Sequence, residues 1–136
     1  MNRVMPVVAF QVVLWSALGL SVFPVNAQPA ADFSECATKA INSDNAAAKI
    51  TALGRARNLA RQAAEAANGG LEVYRADASI HGRISDAPCV DNGDGSWTFT
   101  VKGGTPGFTT PTKETVVTVN SNGWTVKVDY NGPIRS

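Results

Sequence analysis

Residues Asp44 to Asn68 read DNAAAKITALGRARNLARQAAEAAN, and their pattern determines how the rest of the chain can pack. Placed on a helical wheel at about 100° per residue, it has one arc made almost entirely of alanine and an opposite arc that is polar. The apolar arc holds Leu53, Ala56, Ala60, Ala63, Ala64 and Ala67, and the polar arc holds Thr51, Arg55, Asn58, Arg61, Gln62 and Glu65. Because alanine is short and favours helix, the stretch predicts a helix that lies close to the surface it covers.

A short helix is predicted to precede the long one. Asp32-Phe33-Ser34-Glu35 has the form of a capping box, which opens a helix that ends near Ile41. Asn42-Ser43 then breaks the chain, although a single bent helix fits the same residues. Ser43 and Asp44 are predicted to cap the long helix, and Asn68-Gly69-Gly70 is predicted to end it.

Beyond Gly70 the hydrophobic period changes from helical to alternating, which is typical of strands with one buried face. Strands are predicted over 71–81, 96–102, 113–120 and 124–130, with loops over 82–95 and 103–111. Ser121-Asn122-Gly123 indicates a tight hairpin. In the last strand the residues predicted to face the core are Trp124, Val126, Val128 and Tyr130.

These elements predict an α+β fold. Its N-terminal helix, either one long helix or a short helix plus a long one, packs on one face of a four-stranded antiparallel β-meander. The other face of the sheet is open to water. Ala76 and Ala78 of the first strand are small enough to lie under the alanine arc, so we expect the helix and this strand to be in contact.

Residues 1–27 have the pattern of a secretory signal peptide. Arg3 is followed by an apolar run over 7–23, by Pro24 and by the small-residue site Val25-Asn26-Ala27. Cleavage after Ala27 leaves residues 28–136 as a single exported α+β domain in a periplasm, a lumen or the extracellular medium. An uncleaved membrane anchor is the alternative, because the apolar run approaches the length that spans a bilayer. No second apolar segment reaches that length.

The charge balance argues against a nucleic acid or an anionic lipid as a partner. The chain has 12 basic and 11 acidic residues, and removal of the signal peptide takes away one of the basic residues, Arg3. The exported domain is therefore neutral, whereas nucleic-acid-binding domains carry an excess of positive charge.

Cys36 and Cys89 are the only cysteines, and both lie in the predicted exported part. Exported compartments are oxidising, so we expect one disulfide between them. A redox or catalytic cysteine is the alternative, but the chain has no Cys-x-x-Cys motif and no zinc-ligand spacing.

The chain offers little catalytic chemistry, and we predict no cofactor, no metal site and no enzyme activity. His81 is the only histidine, and residues two apart on one strand are about 6.5–7 Å apart, which separates it from Ser79 and Asp77. The turn over 91–95 lacks the alternating oxygen ligands of a calcium loop. A hydrolase that uses Asp77 and Asp129 on the open face stays an alternative.

Candidate partner contacts fall in two groups. They are Arg55, Arg57 and Arg61 on the exposed side of the long helix, and Gly104, Pro106 and Phe108 in a loop between strands. The arginines either meet an acidic partner or lipid head groups, or they form a solvated helix face. The large aromatic residue in a Gly/Pro/Thr loop either tucks over the core or projects as an anchor.

The order of elements resembles that of cystatin-like folds, in which a helix packs on an antiparallel sheet. Cystatin-type inhibitors carry Gln-x-Val-x-Gly in one hairpin and Pro-Trp in the next. The comparable positions here are Ala78-Ser79-Ile80-His81-Gly82, without the glutamine, and Gly123-Trp124, without the proline. The resemblance implies protease inhibition through the loops near Gly82 and Trp124.

The sequence favours a small exported non-enzymatic domain. We expect it to bind a protein or an envelope component through its inter-strand loops or its open sheet face, because no catalytic set stands out. The alternatives are a cystatin-like protease inhibitor and a small extracytoplasmic hydrolase.

Overall fold

The computed structural model describes residues 33–136, so the predicted signal peptide and its cleavage site lie outside the described range. Helices α1 (Glu35–Ile41) and α2 (Ala46–Ala67) precede strands β1 (Arg75–Ala76), β2 (Cys89–Asp91), β3 (Ser96–Gly104), β4 (Lys113–Asn120) and β5 (Thr125–Pro133). The strands form one antiparallel sheet. β1 and β2 both pair with one side of β3, β4 pairs with the other side, and β5 follows β4. The predicted α+β fold is confirmed.

Helix α2 crosses β3, β4 and β5 on one face of the sheet. Its buried apolar residues, Leu53, Ala56, Ala60 and Ala64, all belong to the predicted arc, and they pack with Phe99, Val101, Val117 and Val119 of the sheet. The placement of Glu65 in the exposed arc is wrong, because this residue is only 7% exposed. Arg61, one turn earlier, binds its carboxylate at 2.8 Å, and this pairing compensates for the burial of the charge. Within residues 33–136, no helix is long and apolar enough to cross a membrane.

The helix termini differ from the predicted caps. Ser34 is the N-cap of α1 without a side-chain cap bond, and the carboxylate of Glu35 instead accepts a hydrogen bond from the backbone N–H of Asp91 at 2.7 Å. Asn45, rather than Ser43 or Asp44, is the N-cap of α2. The hydroxyl of Ser43 donates to the carbonyl of Ala40 at 2.8 Å, so it closes the end of α1 and separates the two helices.

The first predicted strand, 71–81, is mostly wrong. Only Arg75–Ala76 pairs with β3, and Ala78–Ile80 forms a 3₁₀ turn. The carboxylate of Asp77 accepts from the backbone N–H of Ser79 at 2.9 Å, and this local bond competes with the strand ladder. As a result Ala76 joins the core while Ala78 is exposed.

Strand β2 lies inside the predicted loop 82–95 and was missed. It has three residues, too few for an alternating pattern, and Cys89 pairs with Phe99 of β3. The disulfide between Cys36 and Cys89 is confirmed, with 5.6 Å between the two Cα atoms. It joins α1 to β2, and it is consistent with an oxidising compartment.

Strand β5 contains a β-bulge. Val116 pairs with Tyr130 and Val117 pairs with Val128, so Asp129 is the extra residue. The bulge turns Tyr130 to the open face, and its predicted position on the core side is wrong. Val126 and Val128 pair with the buried Val119 and Val117, but they remain 39% and 40% exposed because β5 is the edge of the sheet.

The open face of the sheet carries an ion pair that should make stability depend on pH. The guanidinium of Arg135 lies 3.6 Å from the centroid of the Tyr130 ring and binds the buried carboxylate of Glu114 at 2.7 Å. Hydrogen bonding from Arg135 holds the pKa of Glu114 below its ordinary value of 4.5. The pair therefore stabilises the fold at neutral pH, and this stabilisation is lost as pH falls through the lowered pKa.

We expect E114Q to lower the free energy of unfolding at neutral pH by roughly 1 kcal/mol or less, since Arg135 is half exposed and solvent screens the pair. The difference from the wild type should shrink as pH falls below about 4.5, because the wild-type carboxyl becomes protonated. Urea unfolding over a pH series measures both values. In an R135A background the E114Q change should lose this pH dependence, and a difference that persists unchanged in acid contradicts the interpretation.

Candidate binding site at Trp124 and strand β5

Trp124 has an unusual backbone conformation at the turn between β4 and β5. Its φ is 55°, and it is the only residue other than glycine with a positive φ among residues 33–136. For a bulky L-residue this conformation costs about 1–2 kcal/mol, whereas glycine would adopt it freely. A strained residue of this kind persists only where its surroundings hold it in place.

Arg55 of α2 holds the indole. Its guanidinium carbon lies 4.0 Å from the centroid of the Trp124 ring, which is a cation–π stack. Such a stack at the surface contributes about 0.5–1 kcal/mol, enough to offset much of the backbone strain. Arg55 is exposed and Trp124 is half-buried, so the ring is oriented and remains accessible.

A shallow groove of about 450 Å³ lies between the start of α2 and this turn. It is lined by Ala47, Ala48, Thr51, Ala52, Arg55 and Trp124, so its walls are apolar apart from one hydroxyl and one guanidinium. The alanines at the start of α2, Ala47, Ala48 and Ala52, are too short to fill the space beside the hairpin. The groove is thus a consequence of the composition of the helix.

The groove continues onto the free edge of the sheet. Within the described part of the chain β5 pairs only with β4, and residues 125–129 are all exposed. The backbone N–H and C=O groups that point away from β4 thus have no strand partner there. We call the combined surface the Trp124 face and define it as Ala48, Ala52, Arg55, Trp124, Val126 and Val128.

The structure separates the three predicted arginine contacts. Arg55 stacks on Trp124, Arg57 donates to the backbone carbonyl of Gly82, and Arg61 binds Glu65. Arg55 and Arg57 lie about 200° apart around the helix axis, so they reach opposite flanks of α2. Only Arg55 belongs to the Trp124 face.

The second predicted group lies at the other end of the sheet. Gly104 is the buried last residue of β3, and a Cβ atom on it would come within 3.1 Å of Cγ of Phe108. The half-buried Phe108 ring therefore packs over the end of β3, while Pro106 is exposed. Of the two alternatives for Phe108, the structure therefore shows the ring tucked over the core rather than projecting as an anchor.

The two carboxylates considered for a hydrolase, those of Asp77 and Asp129, lie near opposite edges of the sheet. Asp77 follows β1 and caps the 3₁₀ turn, whereas Asp129 lies in β5, with β3 and β4 between them. At about 4.8 Å per strand, these strands are separated by roughly 14 Å. The hydrogen bond that the Thr118 hydroxyl donates to Asp129 (2.6 Å) is the main cause that lowers the pKa of Asp129 below its ordinary value. A hydrogen bond from Lys127 adds to this effect.

The other positions that were weighed for catalysis or metal binding, His81 and residues 91–95, lie in or beside turns. His81 is exposed after the 3₁₀ turn. In the loop after β2, Asp91 accepts from the N–H of Gly93 at 2.8 Å and Asp94 from that of Ser96 at 3.0 Å, which is turn chemistry. Between residues 33 and 136, no cluster of three or more His, Cys, Asp or Glu residues could hold a metal ion.

The loops required for a cystatin-like wedge do not lie side by side. The carbonyl of Gly82 is bound by Arg57 on one flank of α2, while Trp124 is stacked by Arg55 on the other. The structure thus gives no single edge that presents both loops.

No protein-family model, curated protein or solved structure matches this chain. Among the residues of the Trp124 face, Arg55 was predicted from the sequence as a partner contact. Trp124, Val126 and Val128 were predicted to face the core. Alternation shows which side of the sheet a residue faces, but it does not show whether anything covers that side. The available signal was that Trp124 follows a turn glycine and opens the last strand.

Proposed function

We propose that residues 33–136 form an exported, non-enzymatic protein-binding domain whose contact surface is the Trp124 face. The observation that carries the proposal is Trp124 itself. A tryptophan occupies a left-handed backbone position that glycine would fill at lower cost, and Arg55 holds its ring beside an apolar groove. The backbone of Trp124 is thus strained, and the same residue presents its side chain at the surface.

The chemistry of the surface favours a protein partner. Tryptophan and arginine are the residues most enriched in the energetically dominant part of protein interfaces. The adjacent edge strand offers backbone donors and acceptors that an extended segment can pair with, and the groove can take one of its apolar side chains. We therefore infer a partner, an envelope protein included, that lays an extended apolar segment along β5.

The proposal predicts that W124A loses the partner while F108A keeps it. Truncation of a tryptophan at the centre of an interface costs at least about 2 kcal/mol, or roughly thirtyfold in affinity. Affinity capture from the native extract with the wild type and the two variants measures this loss. F108A is the matched control, because it removes an aromatic ring at the opposite end of the sheet.

Photo-cross-linking locates the contact independently of affinity. A photoreactive residue at Val126 should form adducts, and one at Thr100, on the open face of β3, should not. Equal recovery of every partner by W124A, or adducts from Thr100 alone, would move the contact away from the Trp124 face.

A further inference from the structure

Strand β5 carries opposite charges on the two sides of Val128. Lys127 and Asp129 both lie on the open face, because Thr118 is the strand partner of Lys127 and donates its hydroxyl to Asp129. Within one chain the ammonium of Lys127 lies 2.9 Å from the carboxylate of Asp129, and the lysine side chain is exposed. The edge of the sheet thus presents one positive and one negative group, two residues apart.

This arrangement is self-complementary. If two β5 strands pair antiparallel about a two-fold axis at Val128, Lys127 of one copy lies opposite Asp129 of the other. The symmetry repeats the contact, so both lysines and both aspartates gain a cross-strand partner of opposite charge. A lone lysine on an edge strand discourages such pairing because two copies bring like charges together, and Asp129 reverses that effect.

We propose that the partner of the Trp124 face is a second copy of this chain, paired along β5 in this register. The inference rests on the proposed function and names the occupant. The bulge at Asp129 limits the regular ladder in this register to residues 127–129 of each copy, because beyond it Tyr130 lies on the open face while Val126, the residue opposite, lies on the helix side. The result is a symmetric dimer with one continuous sheet.

The apolar side of the edge fits the same register. Both copies of α2 lie on one face of the joined sheet, and the exposed Val128 residues of the two copies meet at the axis, with the exposed Val126 of each copy beside them. Burial of these valines supplies hydrophobic stabilisation, and the charge pairs fix the register.

Charge reversal tests the register directly. K127D makes both edge charges negative and D129K makes both positive, so each homodimer gains two like-charge contacts. We expect each variant alone to weaken the dimer dissociation constant at least about tenfold, because like charges placed opposite each other are strongly unfavourable. An equimolar mixture of K127D and D129K should form a heterodimer, and the double variant K127D/D129K should dimerise again. Light scattering after size exclusion and sedimentation equilibrium measure these masses.

Recovery on mixing shows that the single variants remain folded, and circular dichroism melting of each variant checks this separately. The proposal is overturned if the wild type stays monomeric at its highest soluble concentration, if either single variant dimerises like the wild type, or if mixing restores nothing. A monomeric wild type that still gives Trp124-dependent cross-links to another protein overturns self-pairing and leaves the proposed function standing. Loss of both dimer and cross-links overturns both proposals.

Discussion

Replacement of both cysteines, as in C36A/C89A, is expected to lower the free energy of unfolding by up to about 4 kcal/mol. The bond closes a loop between residues 53 positions apart, and its loss frees that loop in the unfolded chain. A domain of this size has roughly 5–15 kcal/mol in total, so the bond accounts for a large share.

The loss should be concentrated at one end of the molecule. Helix α1 has seven residues and β2 has three, and neither is long enough to persist without an anchor. The bond from the Asp91 N–H to Glu35 connects the same two elements and would remain, but it is exposed. We therefore expect α1 to detach before α2 and the long strands unfold.

Urea unfolding gives the size of this effect, and amide hydrogen exchange gives its location. Protection should fall in residues 34–42 and 89–91 and persist in α2 and in β3 to β5. The reduced wild type is the control, because it should match the double variant. A change below about 1 kcal/mol with unaltered exchange would show that the disulfide does not stabilise the fold.

The parts of the fold that follow from local pattern were predictable. The alanine arc of α2 identified its buried face, because helical periodicity and burial depend on the same spacing. Strands β3 and β4 followed from alternation for a similar reason. The disulfide followed from the compartment and the count of two cysteines.

The predictions that were wrong have a different physical origin. At those residues a local hydrogen bond, an ion pair or a bulge overrides what the hydrophobic pattern alone predicts. Asp77 replaces a strand ladder with a side-chain cap, and Glu65 is buried because Arg61 neutralises it. The bulge at Asp129 reverses the pleat, so Tyr130 changes face. None of these features alters the hydrophobic pattern from which the elements were predicted.

The candidate site was largely hidden for the same reason. Alternation assigned Trp124 and Val126 to the side of the helix, which is correct, but their exposure depends on where α2 begins and on β5 being an edge strand. Those are properties of the assembled sheet. Arg55 was predicted as a partner contact, but its position is set by the Trp124 ring on which it stacks and not by its neighbours in sequence.

Gly103→Ala is expected to destabilise the protein by about 3 kcal/mol or more. Gly103 lies in β3 between Ala76 of β1 and Lys113 of β4. A Cβ atom there would clash with the hydroxyl oxygen of Tyr74 and with the backbone carbonyl oxygen of Arg75. Tyr74 is 1% exposed, so the protein encloses its ring, and this burial raises the pKa of its hydroxyl.

Chemical denaturation of two further variants separates the effect of the clash with Tyr74 from the general effect of replacing glycine by alanine. G54A is the matched control, because a Cβ atom at Gly54 meets nothing within 4 Å and alanine favours helix by up to about 1 kcal/mol, so stability should rise. Y74F in the G103A background removes the clash with the hydroxyl but keeps the clashes with the ring carbon Cζ and with the carbonyl of Arg75, so it should restore only part of the loss. Full stability of G103A would contradict the close packing of β1 on β3.

The same variant also tests whether the Trp124 face is independent of the opposite edge. β1 is held to the sheet by two residue pairs, so the clash at Gly103 should displace β1 before it disturbs β4 or β5. Two strands separate β1 from β5. G103A should therefore be less stable and yet, at temperatures where it is folded, cross-link from Val126 as the wild type does. Loss of cross-linking in folded G103A would mean that the two edges are coupled through the sheet, and the contact surface would then extend beyond the Trp124 face.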